Sequence, residues 1–426
     1  MPRRFRLLAD VEPLRQSAAF RRLWTGTTIS SVGGTLTYFA VSLQIYQLTH
    51  SSFAVGALGL VQVVPILTVG LLASSLTDAF DRRRLTLVTG SVLTLLSAGL
   101  AVQAFAGRRE LWLLYLLAGT QSAVAAIDWP ARAALVPALV PAGQRTAALA
   151  LTRFTFQLAA MVGPALAGVI AGTPHLGLRA CYLLDAVSFL AALYGISRLP
   201  AMRPEQAARP GLRAAAEGAR FIRRSQPLAG AFLADLNATV FGLPISLFPA
   251  INAARFGGSP RTLGLFTAAI GAGGLVSAVL SGPLSRLARP GRAMLITVAI
   301  WGGAFAGFAL ARSLWLTLTM LAAAGAADMF TVVFRGAILQ EVTPDPLRGR
   351  VMATDYVVGA GGSHLGNLEA GALGSLTTPA ISALAGGLAT VAGALVLAVA
   401  LPGFYRYRWA RLPVGSPPLV TPSADN

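Results

Sequence analysis

The chain has 426 residues, of which 55% are hydrophobic and 12% are charged, and its mean hydropathy is +0.66. Soluble globular proteins carry about 25% charged residues, so this composition excludes a large soluble enzyme. The formal net charge of +18 comes from arginine alone, because the sequence contains no lysine. Such a charge fits either a nucleic-acid partner or the loops of a membrane protein.

Long uncharged runs indicate a membrane protein. Residues 91–107 and 383–404 carry no charge, over lengths close to the roughly 20 residues that cross a bilayer. Glycine and proline inside such runs are compatible with helix where neighbouring helices satisfy the backbone. The sequence therefore predicts an all-α integral membrane protein with about twelve transmembrane helices. These helices are expected to begin near residues 23, 53, 85, 111, 146, 178, 228, 262, 293, 314, 351 and 379.

The arginines are distributed unevenly between alternate loops. When the loops are assigned alternately from the first span, 26 arginines fall on one side of the membrane and 6 on the other. Arginine-rich loops face the cytoplasm, so we expect both termini to be cytoplasmic. Because topology accounts for the charge, we expect no nucleic-acid partner. The first span is itself expected to act as the targeting signal, since it directly follows a polar segment.

Two parts of the chain repeat each other at a constant offset of 203 residues. Residues 131–150 match residues 334–353, which aligns Arg132 with Arg335. A second pair of segments matches at the same offset, and the offset is close to half the chain length. Several matches at one offset indicate duplication, so we predict two pseudo-symmetric six-helix halves in parallel orientation.

The duplication implies five parts of the chain. We predict a cytoplasmic N-terminal segment at residues 1–22, a first half at 23–197, a charged connector at 198–226, a second half at 227–404 and a cytoplasmic tail at 405–426. Two related halves around a midplane site are an architecture of secondary transporters, in which one half rocks against the other. We therefore expect transport of a small molecule by a monomer in the lipid bilayer.

Motifs of competing mechanisms are missing from the sequence. It contains no Gly-x-x-x-x-Gly-Lys-[Ser/Thr] loop for ATP and no His-Glu-x-x-His cluster for an intramembrane enzyme. The single cysteine, Cys181, and three scattered histidines offer neither a disulfide nor an evident metal site. We expect no enzymatic activity and no cofactor. The energy for transport must then come from an ion gradient or from the substrate's own gradient.

Residues 74–85, "SSLTDAFDRRRL", resemble the loop motif Gly-x-x-x-Asp-Arg-x-Gly-Arg-Arg of the major facilitator superfamily. The matching positions are Asp78, Arg82, Arg83 and Arg84, and the motif's other residues are replaced at Ser74, Ala79 and Asp81. The resemblance implies that Asp78 and these arginines hold helix ends together in the outward-facing state. The alternative for the arginines is a topology signal alone.

"GPALAG" at residues 163–168 resembles the core of the superfamily's span-five antiporter motif, and the matching positions are Gly163, Pro164 and Gly168. Longer stretches such as "PARAALVPALVP" and "TPDPLRGRVM" are similar to the branch that contains the bacterial enterobactin exporter. This resemblance implies export of a siderophore-like or drug-like small molecule across the bacterial cytoplasmic membrane, by proton antiport. A nutrient importer and a transporter-like membrane sensor remain the alternatives.

Charged side chains within the spans are candidates for substrate or proton handling, because charge in the bilayer core is costly. Asp128 and Arg132 are four residues apart and can pair on one helix face. Asp328 and Arg335 are two turns apart on one side of another span. Arg153 has no carboxylate nearby in the sequence, and Asp128 is its candidate partner. Structural ion pairing is an equal alternative for all of them.

Asp235 is the sharpest candidate for a proton-carrying residue. It lies inside span seven with no basic residue within a turn on either side. The alternative is a local hydrogen bond to Asn237 or Thr239. Glu369 on span eleven is the second candidate, and the alternative for it is a carboxylate near the extracellular mouth. His364 precedes it by five residues and is a candidate to couple to it, with a simple polar contact as the alternative. Aromatic residues that could line a substrate cavity, with packing against helices or lipid as the alternative, are Trp24, Phe39, Tyr46, Trp129, Phe154, Phe156 and Phe241.

Overall fold

A computed structural model describes residues 11–108, 110–202, 212–284 and 287–408 of the chain. Only the helical backbone is described for residues 71–79, 212–216 and 279–284 and for five positions between 345 and 356. The described residues form sixteen α-helices, with short 3-10 turns at Ala142–Gln144 and Ile245–Leu247. The helices are α1 (Glu12–Gln16), α2 (Ala18–Thr49), α3 (Ser52–Ala79), α4 (Arg82–Phe105), α5 (Leu111–Leu139), α6 (Arg145–Ala171), α7 (Gly177–Ser197), α8 (Leu212–Arg224), α9 (Gln226–Phe241), α10 (Phe248–Phe256), α11 (Pro260–Leu284), α12 (Pro290–Leu310), α13 (Leu314–Val342), α14 (Asp345–Leu376), α15 (Pro379–Ala400) and α16 (Pro402–Tyr405).

Local sequence explains where several of these helices begin. The side chains of Ser17, Asp81, Ser313 and Thr378 each accept a hydrogen bond from a backbone N–H of the first turn. Such caps satisfy donors that would otherwise lack a partner. Because the connections are short, consecutive long helices are antiparallel. We call the face at which α2 begins and α15 ends the terminal face, and the other the opposite face.

Ten helical segments of the described chain are long and apolar enough to cross a membrane. Two further helices, α2 and α14, have 32 residues each and pack among these ten. The predicted twelve spans therefore match the long helices of the structure, with α9 and α10 together forming the seventh. The first span begins at Ala18, five residues before its predicted start, and α7 ends at Ser197 while α9 begins at Gln226.

The twelve spans form two halves with the same internal packing. In the first half α4 packs on α7 and α3 packs on α5; in the second half the corresponding helices are α12 on α15 and α11 on α13. The aligned arginines, Arg132 and Arg335, each lie seven residues before the terminal-face end of their helix, in α5 and α13. The predicted two-half fold is confirmed.

Glycines bring the two halves together near the opposite face. In the α6–α11 crossing, a Cβ added to Gly168 would lie 2.6 Å from the Pro260 carbonyl oxygen and 3.0 Å from the Gly264 Cα. The symmetry-related α3–α14 crossing is as close, since a Cβ on Gly371 would lie 3.0 Å from the Gly56 Cα. Helices approach this closely only where side chains are absent. The structure is therefore closed at the opposite face.

The seventh span is broken between α9 and α10, in the stretch "FGLPISLFP". A break leaves backbone groups without helical partners, which is costly inside a membrane unless other groups bind them. Asn367 of α14 supplies these partners: its Oδ1 accepts the Ser246 N–H at 2.9 Å, and its carbonyl accepts the Ser246 hydroxyl at 2.8 Å. The break is thus an ordered element that ties the seventh span to α14.

Candidate functional site

A cavity of about 320 Å³ lies in the first half, mainly between α2 and α5. It extends along α2 from Phe20, in the first turn at the terminal face, to Val41. All of the residues that line it belong to the first half. Its wall mixes aromatic rings with hydroxyl and amide groups, a combination typical of small-molecule sites. Thr27, Ser30 and Ser31 contribute hydroxyl groups to the wall, and Gln62 and Gln121 contribute amides.

Three of the seven aromatic residues predicted to line a cavity do so: Trp24, Trp129 and Phe156. The Trp129 and Phe156 rings lie 4.3 Å apart between centroids. Phe39 is instead buried in the hydrophobic core, and Phe154 and Phe241 are exposed and do not line this cavity, so the packing alternative holds for these three. Tyr46 packs on that core and stacks edge-on against His50. Tyr38 and Phe189 line the cavity in their place.

The predicted Asp128–Arg132 ion pair is present on α5 and borders the cavity. Asp128 Oδ1 also accepts the Thr89 hydroxyl of α4 at 2.6 Å, and Arg132 Nη1 lies 3.5 Å from the Ser30 hydroxyl of α2. Both charged side chains are buried. The pair therefore joins three helices of the first half with balanced charge. Arg132 is one of the 26 arginines counted above on the cytoplasmic side, but it lies inside α5 and not in a loop.

In the second half, Arg335 of α13 pairs with carboxylates from two other helices. It forms an ion pair with Asp235 of α9, and its Nε lies 3.3 Å from Asp355 Oδ1 of α14. Gly359, one turn after Asp355, packs beside the guanidinium. Neither Asn237 nor Thr239 bonds the Asp235 carboxylate, since their side chains donate to the carbonyls of Thr390 and Asp235 itself. The local hydrogen-bond alternative for Asp235 is therefore wrong.

Asp328 is the third carboxylate near this guanidinium. It lies close enough to interact electrostatically with both Arg335 and Asp235. Its side chain is exposed in the structure. We call Asp235, Asp328, Arg335 and Asp355 the arginine cluster. It contains three carboxylates and one cation, whereas the matching Arg132 site of the first half contains one of each.

Three other predicted residues lie outside the arginine cluster. Arg153 is exposed on α6 and forms no ion pair within the described chain, so its predicted pairing with Asp128 is wrong: Asp128 binds Arg132, one turn away on its own helix. Glu369 is half-buried on α14, and no described residue forms a hydrogen bond or ion pair with it. His364 packs its backbone against Gly59 of α3, at the contact between the halves.

The loop motif organises the terminal face of the first half. Asp81 caps α4 through the Arg84 N–H at 3.0 Å and also accepts the Met202 N–H at 3.0 Å. Arg83 donates to the Ser197 carbonyl at the end of α7 at 2.6 Å. These contacts join α4 to the segment after α7, within one half. The side chain of Asp78 lies outside the described residues, whereas Arg82 and Arg84 lie in the first turn of α4.

The span-five motif forms two helix contacts. Gly163 packs against Thr35 of α2, where any side chain would collide with the threonine hydroxyl. The Pro164 carbonyl lies 2.5 Å from the position of a Cβ on Gly264, one turn before the Gly168 crossing. The motif therefore allows α6 to contact α2 in its own half and α11 in the other half at once.

Two carboxylates of the site were absent from the sequence-based candidates. Asp355 lies ten residues into α14, near the predicted start of span eleven, and its partner Arg335 is on another helix. Asp185 lies in the apolar stretch "LLDAVSFL" of α7 and lines the first-half cavity. Both could have been found by the rule that identified Asp235, which selects an isolated carboxylate inside a span.

Comparison with known proteins agrees with this architecture. The chain is 29% identical over 403 residues to the enterobactin exporter EntS of Citrobacter koseri, covering 94% of this chain and 96% of that protein. The fold is similar to the nucleoside transporter NupG, with a TM-score of 0.70, 14% identity and coverage of 92% and 100%. It is also similar to a bacterial homolog of the human lysosomal transporter Spinster in an inward-facing, unoccupied conformation, with a TM-score of 0.68, 14% identity and coverage of 92% and 98%.

Residues 9–418 match the family described as transmembrane secretion effectors, a branch of the major facilitator superfamily. The match spans both halves, the cavity and the arginine cluster. The chain therefore belongs to this family of multi-pass membrane transporters.

Proposed function

We propose that the protein exports a siderophore-like small molecule by alternating access, driven by protons that bind at the arginine cluster. The relatives named enterobactin exporters support the direction and the substrate class. The first-half cavity, with its aromatic rings and hydroxyl groups, suits a polar aromatic molecule. The arginine-rich terminal face is the cytoplasmic one in this account, so the cavity loads from the cytoplasm while the opposite face is closed.

The arginine cluster carries the proposal. Three carboxylates around one guanidinium leave an excess of negative charge in the interior of a membrane protein. Uncompensated buried charge is costly, and a carboxylate removes that cost by binding a proton. The cluster can thus bind a proton on one carboxylate while Arg335 keeps another carboxylate as its partner. No comparable excess surrounds Arg132, whose single carboxylate balances it.

The position of Asp355 connects a proton to movement of the halves. Asp355 and Gly371 lie on the same helix, α14, and Gly371 forms the close crossing with α3 of the other half. Protonation of Asp235 or Asp355 releases one of the two contacts of Arg335 and so weakens the link between α14 and α9 that runs through the guanidinium. Movement of α14 as a unit carries this change to its crossing with α3. In the proposed cycle that crossing is closed in one state and open in the other, as expected for alternating access.

Proton movement in proteoliposomes tests the proposal. We expect enterobactin added to vesicles containing the wild-type protein to drive proton flux in the opposite direction, reported by an internal pH dye. Asp235→Asn removes a titratable group while keeping its size, so we expect it to reduce substrate-driven proton flux at least about ten-fold.

Glu369→Gln is the matched control, because Glu369 is an intramembrane carboxylate outside the arginine cluster. It is expected to retain wild-type proton flux. Equal loss in both variants, or proton flux that survives the double variant Asp235→Asn/Asp355→Asn, would remove the arginine cluster as the coupling site. Absence of flux with enterobactin and with a panel of drug-like cations would contradict export by antiport altogether.

A further inference from the structure

Asp185 is another buried carboxylate of the first half, whereas the arginine cluster lies in the second half. It lies on α7 with 1% of its surface exposed. Its Oδ2 accepts hydrogen bonds from the Thr37 hydroxyl of α2 and the Ser97 hydroxyl of α4, both at 2.7 Å. Gln121 of α5 in turn donates to Ser97 at 3.0 Å. Four helices of the first half therefore meet at this carboxyl group.

No cation pairs with Asp185 in the described part of the chain. The nearest charged groups on the packed helices are Asp128 and Arg132 of α5, which neutralise each other. They lie toward the terminal face: Thr89, which binds Asp128, precedes Ser97 by eight residues on α4, or about 12 Å along the helix. The remaining titratable groups on α2, α6 and α7 near this level are Tyr38, Arg153, Cys181 and Tyr182, and Arg153 is exposed.

No well-aligned hydrogen bond reaches the second carboxylate oxygen, Oδ1, within the described residues. It lies beside Gly33 of α2 and near the Ser188 hydroxyl, which donates to the Asp185 backbone carbonyl at 2.7 Å. An ionised oxygen with neither a cation nor a well-aligned donor is costly inside a membrane. A proton on Oδ1 removes the charge and leaves both hydroxyl bonds to Oδ2 in place. The geometry therefore leaves Oδ2 bound by two hydroxyl groups and Oδ1 available to bind a proton.

Asp185 also lines the substrate cavity, together with Thr37 and Gln121. We propose that Asp185 is a second proton-binding site, in the wall of the cavity itself, which exchanges its proton when a substrate enters or leaves. This inference rests on the proposed transport function for its role in the cycle. It does not rest on the arginine cluster, because the two sites lie in different halves and share no residue.

Infrared difference spectroscopy tests the proton site without any transport assay. The full-length protein in lipid nanodiscs is titrated from mildly acidic to mildly alkaline pH, and the carbonyl band of protonated carboxyl groups is recorded. We expect a titrating band in the wild type that is lost in Asp185→Asn and retained in Glu369→Gln. We expect Ser97→Ala, which removes one donor to Oδ2, to shift the midpoint of that same band and leave the others unchanged.

The outcomes separate this inference from the proposed function. Identical titrating bands in the wild type and Asp185→Asn would overturn the inference, even if Asp235→Asn abolishes proton flux. A band lost in Asp185→Asn would support the site even if no compound drives transport. In proteoliposomes, we expect Asp185→Asn to change the number of protons moved per substrate, whereas an unchanged ratio would overturn the role of Asp185 in the cycle.

Discussion

Replacement of Arg335 by glutamine is expected to lower the free energy of unfolding by about 3 kcal/mol, because removing one member of a buried ion pair leaves its partner uncompensated. Here Asp235 and Asp355 both lose their cation, and Asp328 remains nearby. Denaturant titration of the purified protein in detergent micelles measures the change. The double variant Arg335→Gln/Asp235→Asn is expected to recover part of the loss, since it removes the carboxylate that depends most directly on the guanidinium.

Arg153→Gln is the matched control for this experiment. Arg153 is also an arginine inside a span, but it is exposed and forms no ion pair with any described residue. Its replacement is expected to change the free energy of unfolding by less than about 0.5 kcal/mol. If Arg335→Gln and Arg153→Gln have the same small effect, the arginine cluster is not held together by its ion pairs.

Replacement of Gly168 by valine is expected to disfavour the conformation described here. A side chain at this position meets the Pro260 carbonyl and Gly264 of α11, which are backbone atoms that cannot rotate away. Overpacking of this kind costs about 2 kcal/mol, which shifts the equilibrium about thirty-fold toward the state open at the opposite face. Spin-label distances across that face are expected to lengthen, and substrate flux is expected to fall by a similar factor.

Gly303→Val serves as the control for Gly168→Val. Gly303 also lies inside a long helix, α12, but a Cβ at this position meets nothing within 4 Å. Wild-type flux and distances are expected for this variant. If Gly168→Val behaves in the same way, the α6–α11 crossing does not control the conformational equilibrium.

The helices could be predicted from the sequence because a bilayer imposes a length of about 20 apolar residues on each span. The duplication then identified the two halves through Arg132 and Arg335. The less apolar helices, α2 and α14, were recognised although they fall outside the ten most apolar segments. In α2, part of this polarity comes from Thr27, Ser30 and Ser31, which lie on the cavity wall.

Contacts between helices could not be predicted from span length or from the duplication. Asp235 was identified as an isolated charge, but its partner lies 100 residues later in the chain, and no local pattern connects the two. Pairing by spacing within one helix was correct for Asp128 and Arg132. It did not hold for Asp328, which forms no ion pair with Arg335 within the described residues, because Arg335 binds carboxylates of two other helices. The proposed partner of Arg153 on a neighbouring span was wrong, because direction around a helix decides whether a side chain reaches a neighbour. The same direction decides which aromatic residues line the cavity.

The measurement that tests the central claim most directly is the distance between the halves at the opposite face as a function of pH. Spin labels are attached at His175→Cys and Arg312→Cys, two exposed positions on different halves, after the buried Cys181 has been replaced by serine. In lipid nanodiscs, we expect the distance distribution of this variant to change between mildly acidic and mildly alkaline pH. We expect Asp235→Asn/Asp355→Asn to remove that change. The same pH-dependent shift with and without the two carboxylates would contradict the claim that a proton at the arginine cluster moves the halves.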